Sequence, residues 1–517
     1  MKPEFGGPTA IITFIVYTAG VLGLGYYASR RIKSSADFWI GGRSLGPWLT
    51  AMTLYATTLS GAGYFGAPSA GFTQGNAIAW LNLGAFAGMF IFNTVVGPKL
   101  WQVGKIHGLV TVEDYLNKRY GDDVIPTLAA VGGSVFMMLS LYAQFKATGI
   151  VMSTILGLDY LAALFVSLGV FTIYTAFGGV LAVVYTDFLQ GVIMLFGTVF
   201  LIVVPILKAG GLTAMNTKLA TIAPKLVTWH GAFTAGFALS WIIHFVFSFN
   251  SSPYQVQRGF MAKGFRTFRT MLPIILVSFF LTSTMKYSGM AAQVMIKEGT
   301  MAKPPNADWL FPYLVYAIFP SGVAIFFLIA CMAAIMSTGD SLLMYVSTAL
   351  TRNVYQKFMN PKAPESRLMK VSQWTVVALS TILFLLAVLE RIAGLQIPII
   401  YMLVQVGTGG LTTLFAPGLL YGLFWKRTTR SGVLAGMLAG SAALVAAFVC
   451  RNGYAGKAVQ EAYYSSIWSL GGFHEAALGA TVALVVTPVI SLLTRAPESD
   501  LVEKWFPGKG VRAGKTA

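Results

Sequence analysis

Long apolar stretches separated by short polar connections set the pattern of this chain. An apolar run of about 20 residues crosses a bilayer as a helix. On that criterion thirteen spans are predicted. They lie at 9–28, 47–70, 76–98, 126–154, 159–177, 181–207, 232–251, 271–296, 313–348, 371–389, 396–424, 432–450 and 472–494. The longest connections, 99–125, 208–231 and 348–370, are too short for a soluble domain. The expected fold is therefore all-α and integral to the membrane, with 1–517 as one membrane domain. The first run, Thr9 to Ala28, has no small-residue cleavage site and reads as a retained span.

Two spans carry residues that interrupt a helix. The second holds Ser60, Gly61, Gly63, Gly66 and Pro68, and the seventh ends in Ser248, Asn250, Ser251, Ser252 and Pro253. Small and polar residues there weaken the helix and free backbone carbonyls. In lipid this is tolerated only where the break is buried in protein or lines a cavity. One such break alone reads as close helix packing. Two breaks five spans apart point to inverted repeats with a site near the midplane. The repeats are expected at 47–207 and 232–424, with 9–28, 432–450 and 472–494 flanking them.

Composition changes the picture in one respect. The chain is 56% hydrophobic and 10% charged, with a net charge of +18. Such a charge would suit nucleic acid, but its placement argues otherwise. With the N-terminus outside and the spans alternating, 25 Lys and Arg fall on the cytoplasmic side and 9 outside; Lys146 and Lys286 lie within spans. The positive-inside rule accounts for this without a nucleic-acid partner. The expectation is a multi-pass protein of the plasma (inner) membrane with a cytoplasmic C-terminus and the lipid bilayer around it. Cys331 and Cys450 fall in spans, and the four His are scattered, so neither a disulfide framework nor a metal centre is expected beyond sodium. No nucleophile or acid/base set marks an enzyme. No continuous polar pore marks a channel, the basic tail is too short for a signalling module, and no obligate protein partner is expected.

The candidate chemistry sits at three places. In the ninth span, Ala334, Ser337 and Thr338 share one helical face. A carbonyl freed at Ala334 and the two hydroxyls form an uncharged oxygen set for a hard cation. The bland alternative is hydroxyls bonded back to the preceding turn. Residues 178–190, GGVLAVVYTDFLQ, place Asp187 at membrane depth beside a glycine pair. A carboxylate there is costly and usually functional, although a helix-start anchor is an equally simple role. Lys146 and Lys286 are candidates for an anionic substrate group. The competing readings are an ion pair with Asp187 or Asp340, or snorkelling to the interface. Gln144, on the same span as Lys146, could bond a polar ligand. Tyr55, Thr58, Tyr64, Asn250 and Ser252 lie at the breaks and are candidate cavity lining, and His244 reads as a satisfied interior histidine.

Together, FWIGGRSLGPW (38–48), GGVLAVVYTDFLQ, QVQR (255–258), AAIMSTGDS (333–341) and FWKRTTRSGVLAG (424–436) closely resemble the sodium/solute symporter family over nearly the whole chain. The resemblance implies an inverted-repeat, leucine-transporter-like bundle and Na+ as coupling ion. It maps a sodium site onto the carbonyls of Ala56, Leu59 and Ala334 and the hydroxyls of Ser337 and Thr338. Some members resemble carriers with a second sodium, which would fall here on Asp187, Asp340 and Ser341 with Ser60. Asp340 departs from that pattern; a cation ligand, a lysine partner and a lining of a water path all stand open for it. The family's sugar-binding asparagine maps to Ser252, which disfavours a sugar. The stretches AMTLYAT (51–57) and TIAPKLVT (221–228) resemble pantothenate permeases. The expected function is sodium-coupled import of a small carboxylate such as a monocarboxylate or pantothenate. A proline-like amino acid, sialic acid, or proton coupling through Asp187 or Asp340 are the alternatives.

Overall fold

The computed structural model describes residues 6–31, 38–39, 41–231, 233–394, 400–465 and 474–506. The first residue of the 232–251 span, the starts of the spans at 396 and 472, Ile40, Lys33 and the tail cations Lys509, Arg512 and Lys515 lie outside the described residues. The helices that matter are α1 (Pro8–Ser29), α2 (Pro47–Tyr64), α3 (Gly66–Gln74), α4 (Ala79–Ile91), α5 (Val112–Tyr120), α6 (Val124–Leu156), α7 (Tyr160–Lys208) and α8 (Ala235–Ser251). They continue as α9 (Pro253–Met261), α10 (Phe265–Thr284), α11 (Lys286–Lys297), α12 (Ser321–Leu350), α13 (Glu365–Ile392), α14 (Ile400–Ala416), α15 (Arg430–Arg451) and α16 (Glu475–Leu493). Among the described residues no strand forms beyond one isolated bridge, Leu45 to Ala262.

Each of the thirteen apolar ranges is largely helical where described, with 313–348 interrupted at Phe319 and Pro320. Ten helices among the described residues are long and apolar enough to cross a membrane, and Tyr160–Ile173 and Ala235–Ser251 are shorter apolar helices. The count differs from thirteen because the chain interrupts its own helices. The range 47–70 becomes two short helices, and α7 runs through two predicted spans with a kink at Gly179 (φ 55°, ψ −167°).

Burial sorts the helices into an inner and an outer set. The most apolar part of Ser321–Met359 is 83% buried and that of Leu403–Phe424 is 89% buried, against 28% for Pro8–Ser29 and for Glu365–Ile392. A helix that is apolar all round and fully enclosed belongs at the centre of a bundle. Helix α12 therefore forms the axis, packed against α2, α6 and α7, while α1 and α13 present apolar side chains outward.

Both expected interruptions are present. In α2 the break falls at Ser60, at φ 55° and ψ 171°. Ser60 and Arg43 are the non-glycine residues with positive φ among the described residues. Such a conformation costs about 1–3 kcal/mol and persists only where the surroundings fix it. Gln144 of α6 helps to do so, its Oε1 accepting from the Gly61 N–H at 3.1 Å. The second break separates α8 from α9 at Ser252, where Pro253 starts the new helix without an N–H to satisfy. The 38–48 motif covers the α7 kink: Phe38, Trp39 and Leu45 pack on Val180, Val183 and Val184.

Small residues let α3 and α11 cross with their backbones touching. A Cβ on Gly289 would lie 1.8 Å from the Pro68 carbonyl oxygen, and one on Gly71 would lie 1.9 Å from that of Lys286. Outside the spans, α5 opens with a capping box between Thr111 and Asp114. It also buries Glu113, whose Oε1 accepts from the Tyr345 hydroxyl at 2.9 Å. Burial pushes the Glu113 carboxyl up from 4.5 to about 7.

Two outcomes follow. Gly289→Ala should lower the melting temperature in detergent by an amount corresponding to about 1–3 kcal/mol. Gly322→Ala, where a Cβ meets nothing within 4 Å, should not; equal melting temperatures would contradict the crossing. For Glu113, the fold prefers the protonated acid. Its contribution to stability is complete below the ordinary carboxylate range and is lost as pH rises through about 7. Thermal stability of the wild type should therefore fall from about pH 5 to pH 8 more steeply than that of Glu113→Gln. Parallel curves would count against this burial.

Candidate functional site

The breaks in α2 and α8 open onto one cavity of about 1060 Å³, counting its mouth. Its wall mixes hydroxyls and amides (Ser60, Asn82, Gln144, Ser248, Gln255, Gln405) with the rings of Phe245, Phe249 and Phe279. Among the described residues lining it, Lys286 alone is charged. That lysine starts α11 at the junction with α10. Its side chain is buried, and its ammonium lies 5.7 Å from the ring centre of Trp229 and 5.2 Å from that of Tyr287.

At the floor of the cavity α2 meets α12 through oxygens. Ser337 Oγ donates to the carbonyls of Ala56 and Ala334, both at 3.0 Å. Thr338 Oγ1 donates to the carbonyl of Thr57 at 2.9 Å and to that of Ala334 at 3.3 Å. Four of the five residues expected for the sodium site are thus brought within hydrogen-bond reach of one another. Leu59, the fifth, is buried on α2 and lines the cavity. The donors are carbonyls and hydroxyls without fixed charge, a set that suits a hard cation; the two hydroxyls need only rotate to turn their lone pairs toward it.

Below this seam lies a buried polar network. Asp187 Oδ2 accepts from Thr53 Oγ1 at 2.6 Å and from Thr57 Oγ1 at 3.2 Å. Arg258 Nη2 reaches the same oxygen at 3.5 Å, Thr57 Oγ1 at 2.5 Å and Ser341 Oγ at 2.7 Å. Arg258 also donates through Nη1 to the Tyr254 carbonyl. Asp340 is buried in the same region, near enough to Arg258 to interact electrostatically. Of the four residues considered for a second sodium, Asp187, Asp340 and Ser341 therefore share one region, while Ser60 sits at the kink on the cavity wall. From sequence, Arg258 reads as one of the 25 cytoplasmic Lys and Arg. Its signal was present in the position of QVQR, immediately after the Ser252–Pro253 break.

The candidate substrate residues separate. Thr58 and Gln144 line the cavity. Five others do not, and each has a local reason. Lys146 pairs with Glu390 of α13 at 2.7 Å, not with Asp187 or Asp340. Asn250 donates to the carbonyl of Gly88 at 3.0 Å, tying α8 to α4. Tyr64 donates to the Met194 carbonyl at 3.3 Å, and Tyr55 shares a 3.1 Å hydrogen bond with Thr282. The Ser252 hydroxyl is 3.2 Å from that of Ser248, which is the one that faces the cavity. His244 is interior, with Nε2 at 3.2 Å from the Thr408 hydroxyl. The larger polar part of the wall, Asn82, Gln255 and Gln405, was not singled out by sequence because amides in apolar helices carry no periodic signature.

Comparison with known proteins places this geometry. The chain is 27% identical over 491 residues to the high-affinity proline transporter PutP of Bacillus subtilis, spanning 93% of this chain and 98% of that protein. It is 27% identical over 507 residues to the sodium/proline symporter of Staphylococcus aureus, spanning 95% and 94% of the two chains. Among solved structures it superposes on a substrate-bound, outward-open Na+-coupled sialic acid symporter with a TM-score of 0.77 at 19% identity, covering 95% of this chain and 99% of that one. The nucleobase-cation-symport transporter Mhp1, in a closed conformation, gives 0.53 at 12% identity over 92% and 96%. The fold is the leucine-transporter-like bundle that the family resemblance implies. The sequence model of the Sodium:solute symporter family matches residues 38–440, and with the oxygen seam between α2 and α12 this establishes that the chain belongs to that family, whose members couple solute movement to sodium.

Proposed function

We propose that the protein imports a small organic anion, a carboxylate, together with sodium by alternating access. The observation that carries the substrate class is the lone charge on the cavity wall. Among the described residues, Lys286 faces the cavity, no carboxylate lines it, and no acid forms an ion pair with this lysine. A buried ammonium held only by two aromatic rings is best satisfied by an incoming anion. The amides of Gln144, Gln255 and Gln405 suit hydroxyl or amide groups elsewhere on the solute, and the three phenylalanines suit its carbon skeleton.

In this reading the ion binds Ala56, Leu59, Ala334, Ser337 and Thr338 and joins the two proposed inverted repeats, 47–207 and 232–424. The N-terminus is outside. Sodium entering from that side ties α2 to α12 and completes the cavity for the solute. Closure of the outer mouth then exposes both ligands to the cytoplasm. The membrane potential contributes roughly 2.3 kcal/mol per charge per 100 mV. Each ligand shifts the conformational equilibrium only by its differential affinity for the two states. A second reading, a zwitterion such as proline, is supported by the proline carriers among the relatives. It lacks a carboxylate on the wall for the substrate's ammonium.

Uptake into proteoliposomes separates these readings. Under an inward sodium gradient, with choline as control, a carboxylate such as pantothenate or pyruvate should accumulate, and proline and glucose should not. Lys286→Met should cut carboxylate uptake at least roughly tenfold, as loss of one charged contact implies, and Lys286→Arg should retain most of it. Proline uptake indifferent to Lys286 would transfer the assignment to the zwitterion. Separately, Ser337→Ala or Thr338→Ala should raise the sodium concentration for half-maximal uptake by roughly tenfold without loss of inserted protein. Unchanged sodium dependence in both would remove the α2–α12 site.

A further inference from the structure

The network around Asp187 carries a conclusion about ion count. Arg258 stands on α9, the short helix that begins after the Ser252–Pro253 break. Its side chain is buried and crosses to α2, α7 and α12 at once. The atoms it binds are those a cation would need: Asp187 Oδ2, Thr57 Oγ1 and Ser341 Oγ. Thr57 Oγ1 and Ser341 Oγ are also 3.1 Å from each other, so one donor spans both.

We propose that Arg258 is a tethered counter-cation that occupies the place of a second sodium ion between Asp187 and Ser341, so that the carrier binds a single sodium. The argument is one of space. Arg258 Nη2 lies 2.5 Å from Thr57 Oγ1, 2.7 Å from Ser341 Oγ and 3.5 Å from Asp187 Oδ2, so it fills the point from which a cation would reach all three oxygens. The guanidinium and a sodium ion cannot occupy that point together. Displacing the guanidinium while α9 stays in place would strand a buried positive charge, which costs several kcal/mol. Sodium from solution cannot supply that. Charge balance points the same way. Asp187 and Asp340 are both fully buried and Arg258 is the cation among them. With both acids ionised the region keeps one negative charge, which one sodium at Ala56, Ala334, Ser337 and Thr338 neutralises. A second would leave the core positive.

This inference rests on the sodium-coupled reading above, and the test separates the two. Full-length protein in lipid nanodiscs is titrated with 22Na+ at constant ionic strength in choline, without solute, and the ions bound per protein are counted. The wild type is expected to bind one. Arg258→Gln is expected to bind two, and Arg258→Gln with Asp187→Asn one again. Arg258→Lys, which keeps the charge, should stay at one. A wild-type count of two, or a folded Arg258→Gln that stays at one, overturns the tethered-cation assignment and leaves sodium coupling standing. A wild type that binds none overturns sodium coupling itself. If Arg258→Gln does not fold, the wild-type and Arg258→Lys counts decide the matter.

Discussion

Everything at the centre of this molecule depends on what happens to backbone groups freed inside a membrane. Water is not available there, so a broken helix must find partners within the protein. At α2 those partners are the hydroxyls of α12. Ser337 and Thr338 hold the carbonyls of Ala56 and Thr57, and Gln144 holds the N–H of Gly61 just beyond the kink. The break is affordable because three helices close on it. The same oxygens that satisfy the protein without an ion are the ones that can coordinate it, which makes the seam between α2 and α12 the natural place for an ion to act on the fold.

The fold was legible from residue types in proportion to how local the physics is. Ser60 with its glycines and the Ser252–Pro253 pair announce breaks because each weakens a helix on its own, and both breaks are where the residues put them. The Gly178–Gly179 pair likewise marked the α7 kink. The face formed by Ala334, Ser337 and Thr338 was visible as an i, i+3, i+4 spacing. What could not be read was pairing across helices. Lys146 reads from sequence as a charge in mid-span, and only the third dimension supplies Glu390, 244 positions away. Asn250 looks like cavity lining until Gly88 is found beside it. Arg258 looks like one more basic residue of a connection until the break tips α9 inward.

The charges divide the interior into two regimes. Among the described residues, the cavity wall offers a single cation, Lys286, cushioned by aromatic rings. The floor offers Asp187 and a guanidinium, knitted together by Thr53, Thr57 and Ser341, with Asp340 buried nearby. A solute with a negative group and a positively charged ion would be sorted by this arrangement without contact between them. Residues Thr57 and Thr338 belong to both the wall and the floor. A cation held at the seam would therefore act directly on residues that also line the cavity.

The central claim is that sodium fastens α2 to α12. Hydrogen–deuterium exchange of the protein in nanodiscs, with sodium against choline at equal ionic strength, reads this without knowledge of the solute. Sodium should slow exchange in peptides covering 53–64 and 333–341 and leave the flanking helices α15 and α16 unchanged, and Ser337→Ala should abolish the effect. Identical exchange in the two salts throughout the 53–64 and 333–341 segments would contradict it.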